Sequence, residues 1–293
     1  MITVRAPATT ANLGSGYDVF GAALTRPADV VRVERADQTT LEVTGTGSRF
    51  IPEDPEANTA GVVAKTLDAP AHIHVDKGVR PSSGLGSSAA SAAGTALALN
   101  ELYDLGYSTE ELVDVAAEGE AVAAGDAHRD NVAPALLGGF TIVAESGVTQ
   151  VDASVPLVAC LPDLVVSTRD ARRVVPAQFP VEDVIETVGN AATLVSGMFR
   201  NDPTLVGNGM ADRSVTPARA QLIEGYERVR KAALDAGATG VTVSGSGPTV
   251  VAACYQEDRR TIAAQMVEAF EEVEIEARAY QTAVGRGAHV VGR

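Results

Sequence analysis

The chain has 293 residues, a formal net charge of -15 at pH 7 and 45% hydrophobic residues, which indicate an acidic globular protein of one large domain or two smaller ones. This charge argues against nucleic acids and anionic membranes as partners, because both attract clusters of Lys and Arg. The sequence contains no apolar run long enough to cross a membrane, no N-terminal secretory signal and only two widely separated cysteines, Cys160 and Cys254. These features predict a cytoplasmic protein without disulfide bonds.

The acidic residues are spread along the chain, and lysine is scarce, with Lys65, Lys77 and Lys231 as the only examples. High salt screens the repulsion between such surface charges, so this composition is typical of proteins from a high-salt cytoplasm. We therefore predict a halophilic protein. The alternative is an ordinary acidic protein encoded by a GC-rich genome.

Strand and helix patterns alternate in the first half of the chain. Valine-rich runs predict strands that begin at Val4 and cover residues 30–33, 41–43, 73–75 and 138–151. Apolar periodicity predicts helices over 59–67, in the alanine-rich segment up to residue 100 and over 108–124. Ser108 and Glu111 form a capping-box pattern at the start of the last of these helices.

The second half of the chain begins near residue 155. Its pattern predicts strands over 155–161, 164–166, 241–244 and 250–254 and helices over 181–199, 217–236 and 258–271. Mixed helices and antiparallel hairpins favour an α+β fold over a doubly wound parallel sheet. We place a soft domain boundary between residues 1–154 and 155–293.

Three glycine-rich loops lie between these elements, at residues 12–18, 81–88 and 244–249. The second reads PSSGLGSSAA over residues 81–90 and leads into the alanine-rich helix. Glycines allow backbone N–H groups to approach a ligand closely, and the free N–H groups at a helix start attract an anion. The segment therefore has the chemistry of a phosphate cradle.

Two other interpretations of the second loop are open. Gly84, Gly86 and Ala89 match the dinucleotide-binding pattern G-x-G-x-x-A, which would indicate a nicotinamide-dependent oxidoreductase. That match is weak, because the acidic residues that follow, Glu101 and Asp104, lie at a helix end and not at the tip of a second parallel strand. The other interpretation is a small-residue helix start chosen for close packing.

All three loops together resemble a known family. The segments ANLGSGYD, PSSGLGSSAA and VSGSGPT resemble the three motifs of the GHMP kinases, in that family's order and spacing. The segments from residue 118 to 139, at 168–172 (TRDAR) and at 217–219 (PAR) resemble those that mark the homoserine kinases within it. Ser15 and Tyr17 replace a proline and a phenylalanine that are common in the family's first motif.

The resemblance implies a fold and a reaction. The fold is the two-domain α+β architecture of the family, with an ATP-binding, ribosomal protein S5 domain 2-like domain over 1–154 and a ferredoxin-like domain over 155–293. The reaction is the phosphorylation of the L-homoserine side-chain hydroxyl by ATP with Mg²⁺, a step of threonine biosynthesis. ATP and L-homoserine are then the partners, and family members are often dimers, which implies a homodimer. The alternatives are a related kinase for shikimate or mevalonate and a non-catalytic nucleotide-binding module.

The resemblance also implies a nucleotide site. Its phosphate cradle comprises Pro81, Ser82, Ser83, Gly84, Leu85, Gly86, Ser87, Ser88, Ala89 and Ala90. Ser88 and Glu120 match the family's magnesium ligands, and a hydroxyl and a carboxylate suit a hard cation that also binds phosphate oxygens. Lys77 matches a basic residue near the nucleotide, with a surface lysine as the alternative, and Asn58 matches a position near adenine.

A pocket for a zwitterionic amino acid is implied in the same way. Arg172 and Arg219 match the family's carboxylate-binding arginines, with plain surface arginines as the alternative. The other matching pocket positions are Asn12, Asp18, His128, Asn131 and Thr168. The third loop would close near the transferred phosphate, or form a tight turn, with Ser244, Gly245, Ser246 and Gly247. Apart from Asp130, no side chain stands out as a catalytic base, and phosphoryl transfer needs little early proton abstraction.

Overall fold

The computed structural model describes residues 1–125 and 127–293, without the side chains of residues 122–124. The strands are β1 (Ile2–Ala11), β2 (Phe20–Arg35), β3 (Thr40–Gly45), β4 (Ala71–Lys77), β5 (Phe140–Ala144), β6 (Gly147–Val151), β7 (Pro156–Pro162), β8 (Gly240–Val243), β9 (Val250–Ala253), β10 (Ala277–Ala283) and β11 (His289–Gly292). The α-helices are α1 (Thr59–Thr66), α2 (Ser87–Tyr103), α3 (Thr109–Ala124), α4 (Arg129–Leu137), α5 (Thr168–Arg173), α6 (Val181–Arg200), α7 (Pro203–Gly209), α8 (Val215–Ala220), α9 (Tyr226–Asp235) and α10 (Arg259–Glu271).

The strands form two sheets. In the first sheet the order is β11-β1-β2-β4-β3, and β5 pairs with β2 and carries β6. Its pairs are antiparallel apart from β3 with β4, which run in parallel because α1 crosses over between them. In the second sheet the order is β10-β7-β9-β8, and all pairs are antiparallel. The predominance of antiparallel pairing confirms the α+β class.

The second sheet has the expected ferredoxin-like arrangement. Counted along this half of the chain, its fourth strand lies beside the first, followed by the third and the second. Helices follow its first and third strands, as in the split β-α-β unit of that fold. Strand β11, in contrast, returns to the first sheet, where Val290 pairs with Val4. The boundary at residues 154 and 155 stays a prediction.

Three apolar layers hold the elements together. Helices α1–α4 cover one face of the first sheet, where Val31, Ile73, Leu99 and Leu112 are buried. A second layer lies between the two sheets and α6, and a third lies between the second sheet and helices α9 and α10. Alanines dominate α2, which lets it lie close to β1 and β2 and fixes where its first turn stands.

Several sequence predictions are confirmed and some are wrong. Helices α3, α6 and α10 are where the periodicity predicts them, and Ser108 and Glu111 form the capping box. Residues 164–166 do not form a strand, since β7 ends at Pro162, which lacks an N–H to continue the sheet, and Val165 is exposed. The helix predicted over 217–236 is broken into α8 and α9, because Gly225 adopts a left-handed conformation before α9. Within the described residues, no helix is both long and apolar enough to span a bilayer.

Candidate active site

The three glycine loops meet at one place in the structure. In the structure the first loop extends over residues 12–19 and joins β1 to β2. The second loop covers residues 78–86 and joins β4 to α2, which already begins at Ser87. The third loop, residues 244–249, joins β8 to β9. Asn12 Nδ2 donates to the carbonyl of Gly245 at 3.0 Å, which ties the first loop to the third. Ser244 Oγ donates to the carbonyl of Gly84 at 2.7 Å, and Thr249 Oγ1 donates to that of Ser83 at 2.6 Å. The third loop is therefore a tight turn that also holds the other two loops in place through hydrogen bonds.

Close contact between the loops explains their glycines. Gly84 and Gly86 have φ values of 77° and 60°, in the left-handed region. A Cβ on Gly84 would lie 2.5 Å from the carbonyl oxygen of Ser244, and one on Gly86 would lie 2.0 Å from Thr9 Oγ1. Glycine is thus required at both positions by the surrounding chain.

The substitution Gly86→Ala should destabilise the fold by about 3 kcal/mol or more, because it adds a steric clash to an unfavourable backbone conformation. Urea unfolding in high salt measures the loss. Gly106→Ala is the matched control, since Gly106 has φ 77° and has open space where a Cβ would stand. Equal effects at both positions would show that backbone conformation alone, and not loop contact, requires Gly86.

A cavity of about 180 Å³ opens where the loops meet the start of α2. It brings together most of the side chains and backbone positions that the resemblance implies. Its lining is Asn12, Asp18, Ser82, Gly84, Gly86, Ser87, Ser88, Glu120, His128, Asp130, Asn131, Thr168, Arg172, Arg219, Gly245 and Ser246. The predicted cradle residues outside this lining are Pro81, Ser83, Leu85, Ala89 and Ala90, and Ser244 and Gly247 of the third loop also lie outside it. Leu85, Ala89 and Ala90 are fully buried in the apolar layers, so they hold the cradle rather than face it.

The start of α2 faces this cavity. Gly86 is its N-cap residue, and no side chain in the described part of the protein caps the helix there. Ser87 Oγ donates instead to the carbonyl of Val79 at 2.8 Å. Backbone N–H groups and the positive end of the helix dipole are therefore available to an anion.

A second cavity of about 290 Å³ adjoins the first and shares Ser87 and Ser88 with it. Its other lining residues are mainly apolar and include Val43, Phe50, Ile51, Pro52, Ala57, Asn58, Thr59, Val75, Lys77 and Ser91. The Asn58 side chain caps α1 by accepting from the N–H of Ala60 at 2.9 Å and also donates to the carbonyl of Pro52. Asn58 therefore shapes this cavity through bonds to its own loop.

Lys77 is 3% exposed, so its interpretation as a surface lysine is wrong. Its ammonium forms an ion pair with Asp29 and donates to the carbonyl of Ser87 at 2.7 Å and to Ser91 Oγ at 2.8 Å. Asp29 was not predicted from the sequence, although a carboxylate directly before Val30 and Val31 in β2 was a signal for a buried partner.

Two arginines also line the first cavity. Arg219 is 5% exposed, which excludes a surface role. Its Nη1 donates to the carbonyl of Gly245 at 2.7 Å, and its Cζ lies 4.8 Å from the centre of the Tyr17 ring. Arg172 is partly exposed and pairs with Asp18 at 3.3 Å between Nη1 and Oδ2. Arg172 from α5 and Arg219 from α8 thus line the same cavity as the start of α2.

Two buried carboxylates line the same cavity. Burial raises the pKa of Glu120 to about 7, against the lowering effect of Ser88 Oγ, which donates to Oε1 at 2.8 Å. Burial and the nearby Asp18 carboxylate raise the pKa of Asp130 to about 6. The other carboxylate oxygen of Glu120, Oε2, is buried and bonds to no side chain or backbone group of the described residues. Ser88 and Glu120 therefore fit a hard cation, although the described residues hold no cluster of three or more His, Cys, Asp or Glu that could bind a metal without phosphate oxygens.

Helix α4, which the sequence pattern did not predict, carries two of the expected pocket residues. His128 is its N-cap, and Asn131 accepts from Thr9 Oγ1 at 2.8 Å through Oδ1. Pro134 lies inside this helix, and a proline at that position argues against a helix in a sequence pattern. Thr9 was also missed, since nothing in the sequence connects β1 with residue 131.

Comparison with known proteins identifies the family. Residues 57–139 match the model of the GHMP kinases N terminal domain, and residues 194–272 match that of the GHMP kinases C terminal domain. A homoserine kinase from Haloarcula marismortui is 69% identical over 99% of this chain and 100% of its own length. The chain belongs to the GHMP kinase family. Within that family it groups with the homoserine kinases, which confirms the resemblance.

Other homoserine kinases agree with this placement. A homoserine kinase from Natronomonas pharaonis is also 69% identical, over 99% of this chain and all of its own length. The crystal structure of homoserine kinase from Cytophaga hutchinsonii superposes with a TM-score of 0.91 at 37% identity, covering 99% of this chain and 97% of that chain. The dinucleotide-binding interpretation of Gly84, Gly86 and Ala89 is therefore wrong. In this GHMP kinase those residues belong to the second motif of the family.

Proposed function

We propose that the chain transfers the terminal phosphoryl group of ATP to the side-chain hydroxyl of L-homoserine, giving O-phospho-L-homoserine and ADP. One observation carries the proposal: a single cavity is lined both by the first residues of α2 and by the buried side chain of Arg219. A chain with a net charge of -15 attracts no anion in general, so these local positive groups mark where anions bind.

The nucleotide occupies the second cavity and the cradle in this proposal. The mainly apolar lining of the second cavity suits a nucleobase, and Ser87 and Ser88 lie where it opens into the first. The phosphates then bind at the first turn of α2, whose N–H groups are free of side-chain caps in the described structure. Ser88 and Glu120 would hold Mg²⁺, which neutralises phosphate charge when bound.

The amino acid occupies the part of the first cavity next to α5 and α8. Arg172 and Arg219 bind its carboxylate, because a guanidinium matches a carboxylate with two parallel hydrogen bonds. The acidic groups Asp18 and Asp130 attract its ammonium group, and His128, Asn131 and Thr168 line the same cavity. Positioning of the hydroxyl beside the cradle, with charge neutralisation, is the main catalytic contribution, since the transition state is loose.

A panel of hydroxyl substrates tests the proposal. The chain is incubated with ATP, Mg²⁺ and L-homoserine, shikimate or mevalonate, and release of ADP is coupled to a spectrophotometric signal. Turnover with homoserine and a phosphate ester in the ³¹P spectrum of the product support it. Turnover of shikimate or mevalonate without turnover of homoserine would overturn the substrate assignment. The family resemblance supports three further proposals, namely a role in threonine biosynthesis, a cytoplasmic location and a homodimer. Light scattering tests the last of these.

The pH dependence of homoserine phosphorylation should follow the ionisation of the Asp130 carboxyl group. With its pKa raised to about 6, this carboxyl is protonated below that pH and cannot attract the substrate ammonium. We expect kcat/KM for homoserine to rise with pH through a midpoint near 6. In Asp130→Asn, kcat/KM should no longer change with pH in this range. The same midpoint in the variant would assign the titration to another group.

The activity should also depend on salt. Repulsion among 38 acidic residues, set against 23 Lys and Arg, is screened over about 10 Å at 0.1 M salt and over shorter distances at higher salt. We expect activity and melting temperature to fall as KCl is reduced from about 3 M to about 0.1 M. Full activity and stability at low salt would contradict the halophilic prediction.

A further inference from the structure

A buried ion pair lies directly beneath the start of α2. It joins Asp29 of β2 to Lys77 of β4, and both side chains are almost completely excluded from solvent. Neither the GHMP motifs nor the residues that line the first cavity include Asp29. An ion pair out of reach of water is stable only when further hydrogen bonds satisfy its remaining polar atoms, so those bonds show what the pair holds in place.

The Asp29 carboxylate holds the beginning of the second loop. Its Oδ1 accepts from the backbone N–H groups of Gly78 and Val79, each at 3.0 Å. Its Oδ2 accepts from Lys77 Nζ and from Ser91 Oγ, the latter at 3.0 Å. One side chain thus connects strand β2 with the beginning of the second loop and with the second turn of α2, where Ser91 lies.

Lys77 continues this connection to the first residue of α2. Its ammonium donates to the carbonyl of Ser87 at 2.7 Å and to Ser91 Oγ at 2.8 Å, in addition to its bond with Asp29. A lysine ammonium has three N–H donors, so the protein uses all of them. Ser87 lines both cavities, and its neighbour Ser88 bonds to Glu120. The orientation of the first turn therefore depends on Lys77, and that of Lys77 depends on Asp29.

We propose that Asp29 is a positioning residue for the nucleotide: it orients Lys77 and thereby holds the first turn of α2 with its N–H groups toward the cavity. This inference rests on the proposed function, because it assigns those N–H groups to the phosphates of ATP. The arginines for the amino acid come from α5 and α8, which share no bond with this network among the described contacts. Loss of the network should therefore raise the KM for ATP and leave the KM for homoserine nearly unchanged.

Ser91→Ala is the first test. It removes one hydroxyl of the network and places alanine in a helix already rich in alanine, so the fold is retained. We expect the KM for ATP to rise about fivefold to tenfold, as for loss of a hydrogen bond to a charged group, with the KM for homoserine within about twofold. Thr95→Val is the matched control, because among the described contacts the buried Thr95 hydroxyl bonds only along the helix, to the carbonyl of Ser91. This control should leave both KM values unchanged.

Asp29→Asn is the second test. It keeps the shape of the side chain and removes the charge that orients Lys77. We expect the affinity for a non-hydrolysable ATP analogue, measured by calorimetry without homoserine, to fall about tenfold or more. The double variant Asp29→Asn, Lys77→Met should bind the analogue no more weakly than Asp29→Asn alone, because the two side chains act as one unit. If Asp29→Asn does not fold, Ser91→Ala decides the question.

The results separate this inference from the proposed function. A lower melting temperature with an unchanged KM for ATP in Ser91→Ala would make the network a purely structural support and overturn the positioning role. Equal rises in the KM values for ATP and homoserine would overturn it as well. If the unsubstituted chain does not phosphorylate homoserine, but binds the ATP analogue and loses that binding in Asp29→Asn, the proposed function fails and the positioning role stands.

Discussion

Replacing Arg219 by methionine should lower kcat/KM for L-homoserine about a thousandfold and change the affinity for ATP by less than about threefold. Methionine fills much of the space of the arginine stem but cannot bind a carboxylate. The loss is large because Arg219 is buried against Tyr17, where little water competes for the substrate carboxylate. Steady-state kinetics with each substrate varied in turn measure the effect.

Arg278→Met is a matched control for this experiment. Arg278 also lies over a tyrosine ring, with its Cζ 4.9 Å from the centre of Tyr280, but it belongs to β10 and does not line the first cavity. We expect Arg278→Met to have the same kcat/KM for homoserine and the same affinity for ATP as the unsubstituted chain. A similar loss of ATP and homoserine use in Arg219→Met would contradict the assignment of Arg219 to the amino acid, since it would indicate a general collapse of the site.

The substitution Glu120→Gln should lower kcat at saturating ATP and Mg²⁺ by about a hundredfold to a thousandfold. The amide keeps the bond with Ser88 but removes the negative charge that suits a divalent cation. Glu118→Gln is the control on the same helix, because Glu118 is exposed and bonds only to Thr66 among the described contacts. Activity of Glu120→Gln close to that of Glu118→Gln would contradict the assignment of Glu120 to the metal.

The same substitution should not cost stability. Burial raises the pKa of Glu120 from 4.5 to about 7, so the folded chain holds this proton more tightly than the unfolded chain does. The stability that protonation contributes is complete below about pH 4.5 and is lost as the pH rises through about 7. Glutamine does not ionise and avoids this loss. Without magnesium at about pH 8, the melting temperature of Glu120→Gln should equal or exceed that of the unsubstituted chain.

The sequence was sufficient to predict the loops and most of the cavity lining. Glycine-rich motifs allow such a prediction because the backbone conformations and close contacts at positions such as Gly84 and Gly86 admit no other residue. The two arginines and Glu120 could be assigned only through the family resemblance, because an isolated arginine or glutamate looks like any surface residue. The burial of Arg219 against Tyr17 and of Glu120 beside Ser88 is a property of the folded chain.

Long-range contacts explain what the sequence did not predict. Lys77 was assigned a place near the nucleotide, but its partner Asp29 lies 48 residues earlier in the chain, and no local pattern links them. Helix α4 was hidden by Pro134, and the helix predicted over 217–236 was interrupted by the left-handed Gly225. In each case the tertiary structure decides between local alternatives of similar energy.

The return of β11 to the first sheet has a consequence for folding. Residues 289–292 pair with residues 3–5, so the edge of the first sheet at β1 is completed only by residues at the far end of the chain. A fragment of residues 1–154 would leave that edge with unpaired N–H and C=O groups, which invites association between copies. We therefore expect residues 1–154 to be less stable alone than in the full chain, and we expect the two halves of the chain to unfold together.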